Sequence, residues 1–192
     1  AGVVVPDGFG ITEGLQEALH YNVDIAKVSF NLINGIVIHD IFVYDKIKDK
    51  ENTILQIKQA SFHLLYLPLL KDQKVIIPLL HIYSPEVTIR YKKDSTLNFS
   101  GLFSSKRPEA TKQKNRFIPL IYKVNIIKGE LLFEDERQQP KFSKIIQDLN
   151  IGMSAGDLKK ASFVMHGDIL SAKEKPSKIL LEGDYNFSSR EL

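Results

Sequence analysis

The chain has 192 residues, 43% of them hydrophobic and 26% charged, a balance that suits a globular protein with one large β-domain or two small ones. A net charge of +3, with both signs mixed along the chain, is too small for the concentrated basic face of a nucleic-acid binder. The absence of cysteine excludes disulfides and thiolate zinc sites, and it fits either a reducing cytosol or an envelope protein that folds without bridges.

Ala1 to Pro6 lack the basic start and long apolar centre of a signal peptide. The chain begins without Met and stops shortly after a strand pattern, so it reads as a fragment whose anchor or targeting segment lies outside it. Ile11, Leu15, Ala18 and Leu19 share one helical face, with Thr12 as N-cap and Asn22 as terminator, which predicts a short helix over residues 11 to 21. Strands dominate after it. Val23 to Leu32 alternates, but its apolar parity changes between Ile25 and Val28, which predicts a bulge near Ala26-Lys27. Asn34-Gly35 is a strong two-residue hairpin signal, and Ile36 to Tyr44 returns as the partner strand. A charged loop from Asp45 to Asn52 leads to a strand from Thr53 to Leu64. The run Leu64 to Leu70 follows, read as a short helix or tight corner interrupted at Pro68 and far below the ~20 residues of a spanning helix.

Val75 to Tyr83 and Glu86 to Lys92 read as two strands, with Pro85 marking a bend or an edge between them. Ser104 to Arg116 holds five basic residues against Glu109 and no large apolar residue, so it reads as a mobile linker, in the bland case a solvated loop and in the functional case a basic loop facing a membrane. The expected organisation is 1–103, linker 104–116, and 117–192. Beyond the linker the strand patterns are Phe117 to Ile127, Glu130 to Glu134, Ile145 to Ser154, Ala161 to Leu170 and Ile179 to Phe187, joined as a meander.

One unit recurs three times along this path: alternation, a Gly or Pro, then alternation again. It spans Phe30 to Asp40 around Gly35, Leu80 to Arg90 around Pro85, and Val124 to Asp135 around Gly129. Alternation on both sides of a turn former is the mark of an antiparallel sheet with one apolar and one polar face. Chemistry is not visible in the motifs. His20, His39, His63, His81 and His166 are scattered, and Gly8-Phe9-Gly10 is followed by Gly14, one residue late for a dinucleotide fingerprint. Glu134, Asp135 and Glu136 are contiguous, which suits a charged turn better than the facing carboxylates of a glycosidase. No nucleophile elbow, metal set or cofactor motif is present, and the expectation is a protein without catalytic residues, metal or cofactor.

What remains is an apolar stripe. Its early members are Val28, Phe30, Leu32, Val37, Ile41 and Val43; then come Phe62, Leu80, Ile82, Val87 and Ile89; the last are Leu120, Tyr122, Val124, Ile126, Leu131 and Phe133. In a β-sandwich such a stripe is ordinary core. Here one short helix and one Leu-rich turn offer little to cover it, and an uncovered apolar face of this length is a binding surface.

The order Val23-Asp24-Ile25-Ala26-Lys27-Val28, Gly35-Ile36-Val37-Ile38, Gln59-Ala60-Ser61-Phe62, Leu67-Pro68-Leu69-Leu70-Lys71-Asp72, Leu79 to Ile89 around Pro85, and Ser95-Thr96-Leu97-Asn98-Phe99 resembles the AsmA-like family of bacterial envelope proteins, part of the repeating β-groove class of lipid carriers. Val124 to Asp135 looks like the next repeat. The resemblance implies a mainly β fold with a short N-terminal helix and a twisted antiparallel sheet forming an open apolar groove. It implies that the groove shields phospholipid or other acyl chains during transport between membranes, with the seventeen stripe residues as lining. The implied location is the bacterial periplasm, anchored to the inner membrane through a segment outside this chain, with envelope proteins as further partners and no nucleic acid. The other reading is a structural or interaction β-sandwich module in envelope assembly, docking a partner by strand addition.

Overall fold

A computed structural model describes residues 3–5, 16, 21–31, 35–44, 53–99, 120–157, 160–170 and 175–186. The fold is mainly β. Its strands are β1 (Val3–Val5), β2 (Asn22–Asn31), β3 (Gly35–Tyr44), β4 (Thr53–Phe62), β5 (Ile76–Ile77), β6 (Leu80–Tyr91), β7 (Leu120–Ile121), β8 (Lys123–Asp135), β9 (Phe142–Asp157), β10 (Lys160–Leu170) and β11 (Ser177–Asn186). One short helix, α1 (Tyr66–Asp72), lies between β4 and β5. Nine strands form one open sheet in the order β1-β2-β3-β4-β6-β8-β9-β10-β11, and β5 pairs with β7 in a small separate sheet.

The alternating segments form strands where the residues predict them, because each has one face to bury and one to hydrate. β2 and β3 pair antiparallel from Asn22 opposite Tyr44 to Asn31 opposite Gly35; the hairpin is the expected one, but a two-residue turn at Asn34-Gly35 would set Ile33 opposite Ile36, whereas Ile36 faces Phe30 and Gly35 is already a paired strand residue. Gly35 has φ +69°, and a Cβ there would lie 2.4 Å from the Phe62 carbonyl oxygen, so only glycine fits. From β8 to β11 the chain is the expected antiparallel meander. Val3–Val5, read only as a poor signal peptide, adds an edge strand beside β2.

Three expectations need correction. The sheet is mixed: β6 and β8 run parallel, with Leu80 beside Val124 and Tyr91 beside Asp135. Pro85 and Gly129 do not separate pairs of strands, because each sits inside one continuous strand. Pro85 stands opposite Ile57 of β4, while the parallel pairing to β8 lapses between Tyr83–Ile127 and Glu86–Glu130, where its missing N–H is not called on. Pro68 does not interrupt the Leu-rich segment; it occupies the first turn of α1, where an N–H has no helical partner anyway. The helix ends at Gln73, left-handed at φ +53°, with the Lys74 N–H donating to the Pro68 carbonyl at 3.1 Å.

The predicted helix over 11 to 21 falls, apart from Gln16 and Tyr21, outside the described residues, as do the loop 45–52, the linker 104–116 and Leu32. Gln16 donates from Nε2 to the Val23 carbonyl at 2.9 Å. Strands from both sides of the linker meet in one sheet through the β6–β8 pair.

A seam crosses this sheet. Asp40 in β3, Ser84 in β6, Lys128 in β8 and Asp148 in β9 all have φ between +46° and +55°. The residues there drop out of the pairing: Ala26 and Asp40 between Ile25–Ile41 and Lys27–His39, and Lys58 and Ser84 between Ile57–Pro85 and Gln59–Tyr83. A left-handed residue in a strand breaks the two-residue period, so the buried side chains step by three across it. In β3 the buried positions are Ile38 and then Ile41 and Val43, across Asp40; β2 has no left-handed residue but keeps step with it, burying Val23, Ile25 and then Val28. The parity change read near Ala26 is therefore present. It is not a bulge of β2 against β3, because both strands take the same step and their register stays unbroken.

Candidate functional site: the apolar face of the sheet

Residues directly opposite in neighbouring strands share a face. The register therefore builds the apolar face row by row. On one side of the seam Val28, Ile38, Ala60, Ile82, Ile126 and Ile151 follow each other from β2 to β9, and Met165 and Leu181 continue the row into β10 and β11. The adjacent row runs Phe30, Ile36, Phe62, Leu80, Val124, Met153 and Phe163. Across the seam Val43, Leu55, Val87, Leu131, Ile146 and Ile169 form another. At the seam Gly129 is buried beside Pro85, whose Cγ a Cβ on Gly129 would meet at 3.2 Å.

The opposite face is polar. Ser29, Val37, Ser61, His81 and Asn125 form one of its rows, and Glu86 stands beside Glu130 in another. Gln147 donates to the Glu130 carboxylate at 3.2 Å. A cleft of about 590 Å³ opens on this face between Phe42, Gln56, Glu86, Arg90 and Glu134. Its Arg90 is engaged, donating from Nε to the Glu134 carboxylate at 2.9 Å, and Lys141 reaches the other Glu134 oxygen at 2.7 Å. Burial pushes the Glu134 carboxyl up, but the hydrogen bonds from Lys141 and Arg90 outweigh it and hold it below the usual range. At the same end the Arg137 guanidinium bonds Asp135 through both carboxylate oxygens and holds its carboxyl down at about 2, while its carbon lies 3.7 Å over the Tyr91 ring. These groups neutralise each other and tie β6 to the β8–β9 turn. Among the described residues no set of His, Asp or Glu converges as metal ligands.

The cover on the apolar face is uneven. Tyr21, Val23, Val28, Ile38, Val43 and Ala60 pack as a buried cluster at the β2–β4 end, with Phe99 and Leu80 against it. Along the row that starts at Val28 the exposure grows, from 6% there to 50% at Leu181, although the residue types stay apolar. On β6, β8 and β9 the same face is half-buried at Ile82, Val87, Val124, Ile126, Leu131 and Ile151. The face is thus ordinary core at one end and open at the other.

Of the stripe residues read from the sequence, Val28, Phe30, Ile41, Val43, Phe62, Leu80, Ile82, Val87, Ile89, Val124, Ile126, Leu131 and Phe133 share this face. Val37 does not: its register partners Ser29 and Ser61 place it on the polar face. The Gly35 turn leaves odd residues of β3 on the polar side until the seam at Asp40, which is why counting by twos from Ile41 put it on the wrong side. Leu120 belongs to the small β5–β7 sheet, and Tyr122 lies between β7 and β8, exposed. Leu32 lies outside the described residues. The reading from the sequence missed the members on β9 to β11, among them Ile146, Leu149, Ile151, Met153, Phe163 and Met165. Their signal was present as alternation at 149, 151, 153 and 163, 165, but the step at Asp148 hides its continuity with Ile146.

No family model matches the chain, and no curated protein matches it.

Proposed function

We propose that the open part of the apolar face holds the acyl chains of lipids, and that the protein is a lipid-binding segment that shields them from water on the way between membranes. One observation carries this reading: the face stays apolar over nine strands while its cover thins beyond the first few, Leu149 at the seam apart. A soluble sheet gains nothing from Ile126, Ile151, Phe163 and Met165 on one side unless something apolar sits there. Each methylene kept from water is worth ~0.8 kcal/mol, so a full acyl chain gains more than ~10 kcal/mol from such a surface. The rows run across the strands, and each added strand lengthens an apolar track by ~4.8 Å. The polar reverse face keeps the protein hydrated. No catalytic residue takes part. The resemblance to AsmA-like proteins supports the same reading, together with a periplasmic location and an inner-membrane anchor outside this chain.

A second reading has its own observation. Among the described residues β11 ends the sheet, with β10 as its strand neighbour, and a terminal strand is where a partner can add one of its own. The protein would then be an interaction module in envelope assembly.

Native mass spectrometry of the purified chain separates the two. Co-purified phospholipid, lost on charged substitution at Ile126, supports the lipid reading. A lipid-free chain that also fails to take up fluorescent phospholipid refutes it.

A further inference from the structure

At one end of the sheet the chain leaves β4, forms α1, and returns through β5 to β6. None of the residues of α1 is buried, although four of its seven, Tyr66, Leu67, Leu69 and Leu70, are large and apolar. Leu67 is 68% and Leu70 79% exposed. Leu67, Leu70 and Lys71 fall on one helical face. This helix is joined to a wider patch by backbone hydrogen bonds. The Leu65 N–H donates to the Ile76 carbonyl at 3.0 Å, the Leu120 N–H to Val75 at 2.9 Å, and the Tyr122 N–H to Ile77 at 3.1 Å. Ile121 and Tyr122, both exposed, thereby stand at the same end as α1. Lys71, Lys74 and Lys123, all exposed, belong to the same segments, as does Asp72.

We propose that this end of the protein lies on the surface of a bilayer containing anionic lipid, with Leu67 and Leu70 seated at the boundary between headgroups and acyl chains. The composition matches that boundary layer by layer: leucines for the acyl side, Tyr66 and Tyr122 for the interface, and lysines for the headgroup phosphates. Seven helical residues reach only ~10 Å, so the segment rests in the interface and does not cross it. A second copy of this chain is a poorer occupant. Lysines are depleted in protein interfaces, and two such patches would meet with like charge. This inference stands without the lipid-carrier reading, since it concerns a different surface.

The test is flotation of the whole 192-residue chain with vesicles of phosphatidylcholine alone and of phosphatidylcholine mixed with phosphatidylglycerol. The chain should bind the mixed vesicles, more weakly at high salt, and bind neutral vesicles about tenfold less. The double variant Leu67→Glu, Leu70→Glu should lose about tenfold or more of the binding while its melting temperature stays that of the parent, because neither side chain is buried. Phospholipid loading should survive in the Leu67, Leu70 double variant and be lost in Ile126→Glu, on the open apolar face, so failure of one surface is distinguishable from failure of the other. Absence of vesicle binding by the parent would overturn the proposal. Equal binding by the Leu67, Leu70 double variant would overturn it too, since charge alone would then hold the chain. Self-association without vesicles that the double variant abolishes would assign the patch to a second copy.

Discussion

A carboxylate placed on the two ends of the apolar face should have opposite consequences. Ile38 lies in the buried cluster, whereas Ile126, in the same row, is half-buried toward the open end. Ile38→Glu forfeits about 2–3 kcal/mol of side-chain burial. The new carboxyl has no partner there and stays neutral, and keeping a group with an ordinary pKa of about 4.3 protonated at pH 7 costs a further ~3.7 kcal/mol. The sum rivals the 5–15 kcal/mol that holds a typical domain together, so this variant should be unfolded or nearly so. Ile126→Glu loses only about 1 kcal/mol of burial, and its carboxylate can reach water. It should melt a few degrees below the parent and load fluorescent phospholipid at least about tenfold more weakly, the effect of ~1.4 kcal/mol. Val37→Glu, on the polar face between Ser29 and Ser61, should leave both properties unchanged. Thermal melts and phospholipid titration of the three variants decide the matter. Collapse of Ile126→Glu alongside Ile38→Glu would make the whole face closed core, and a folded Ile126→Glu that loads lipid normally would remove the acyl chain from this row.

Gly35→Ala sets a Cβ against the Phe62 carbonyl at a φ of +69°, and should cost about 2–4 kcal/mol in urea unfolding. At the seam, Lys128→Val forces a β-branched residue into φ +55° and should cost about 1–2 kcal/mol, whereas Lys128→Gly should fall within about 1 kcal/mol of the parent in the same assay. The Asp135 carboxyl is held at about 2 against an ordinary 3.8 by its bonds to Arg137. A depressed folded pKa favours the native state above the unfolded value, so the parent should melt above Asp135→Asn at pH 5 to 7. That advantage should shrink as the pH falls from 3.8 through 2 and vanish below it, and a difference that persists unchanged below pH 2 would assign it to packing.

Strand positions were legible in the residues because a two-residue period is a property of one segment and its own two faces. Val23 to Leu32, Ile36 to Tyr44 and Ala161 to Leu170 carry it openly, and β2, β3 and β10 follow within a residue or two. The apolar stripe was legible for the same reason, and so was the parity change near Ala26. The meaning of Pro85 and Gly129 was not. A turn former inside an alternating run reads as a hairpin until a neighbouring strand is known to carry the same interruption at the same height, as β6 and β8 do. The parallel pairing of those two strands, the alignment of Asp40, Ser84 and Lys128 into one seam, and the placement of Val37 on the polar face all depend on partners 40 or more residues away or on the far side of a turn. So does the gradient of cover that leaves Val23 buried and Leu181 in water. Local alternation says that a strand has a face to bury; the free energy that chooses which strands share that face, and where the cover stops, is released only when the distant segments meet.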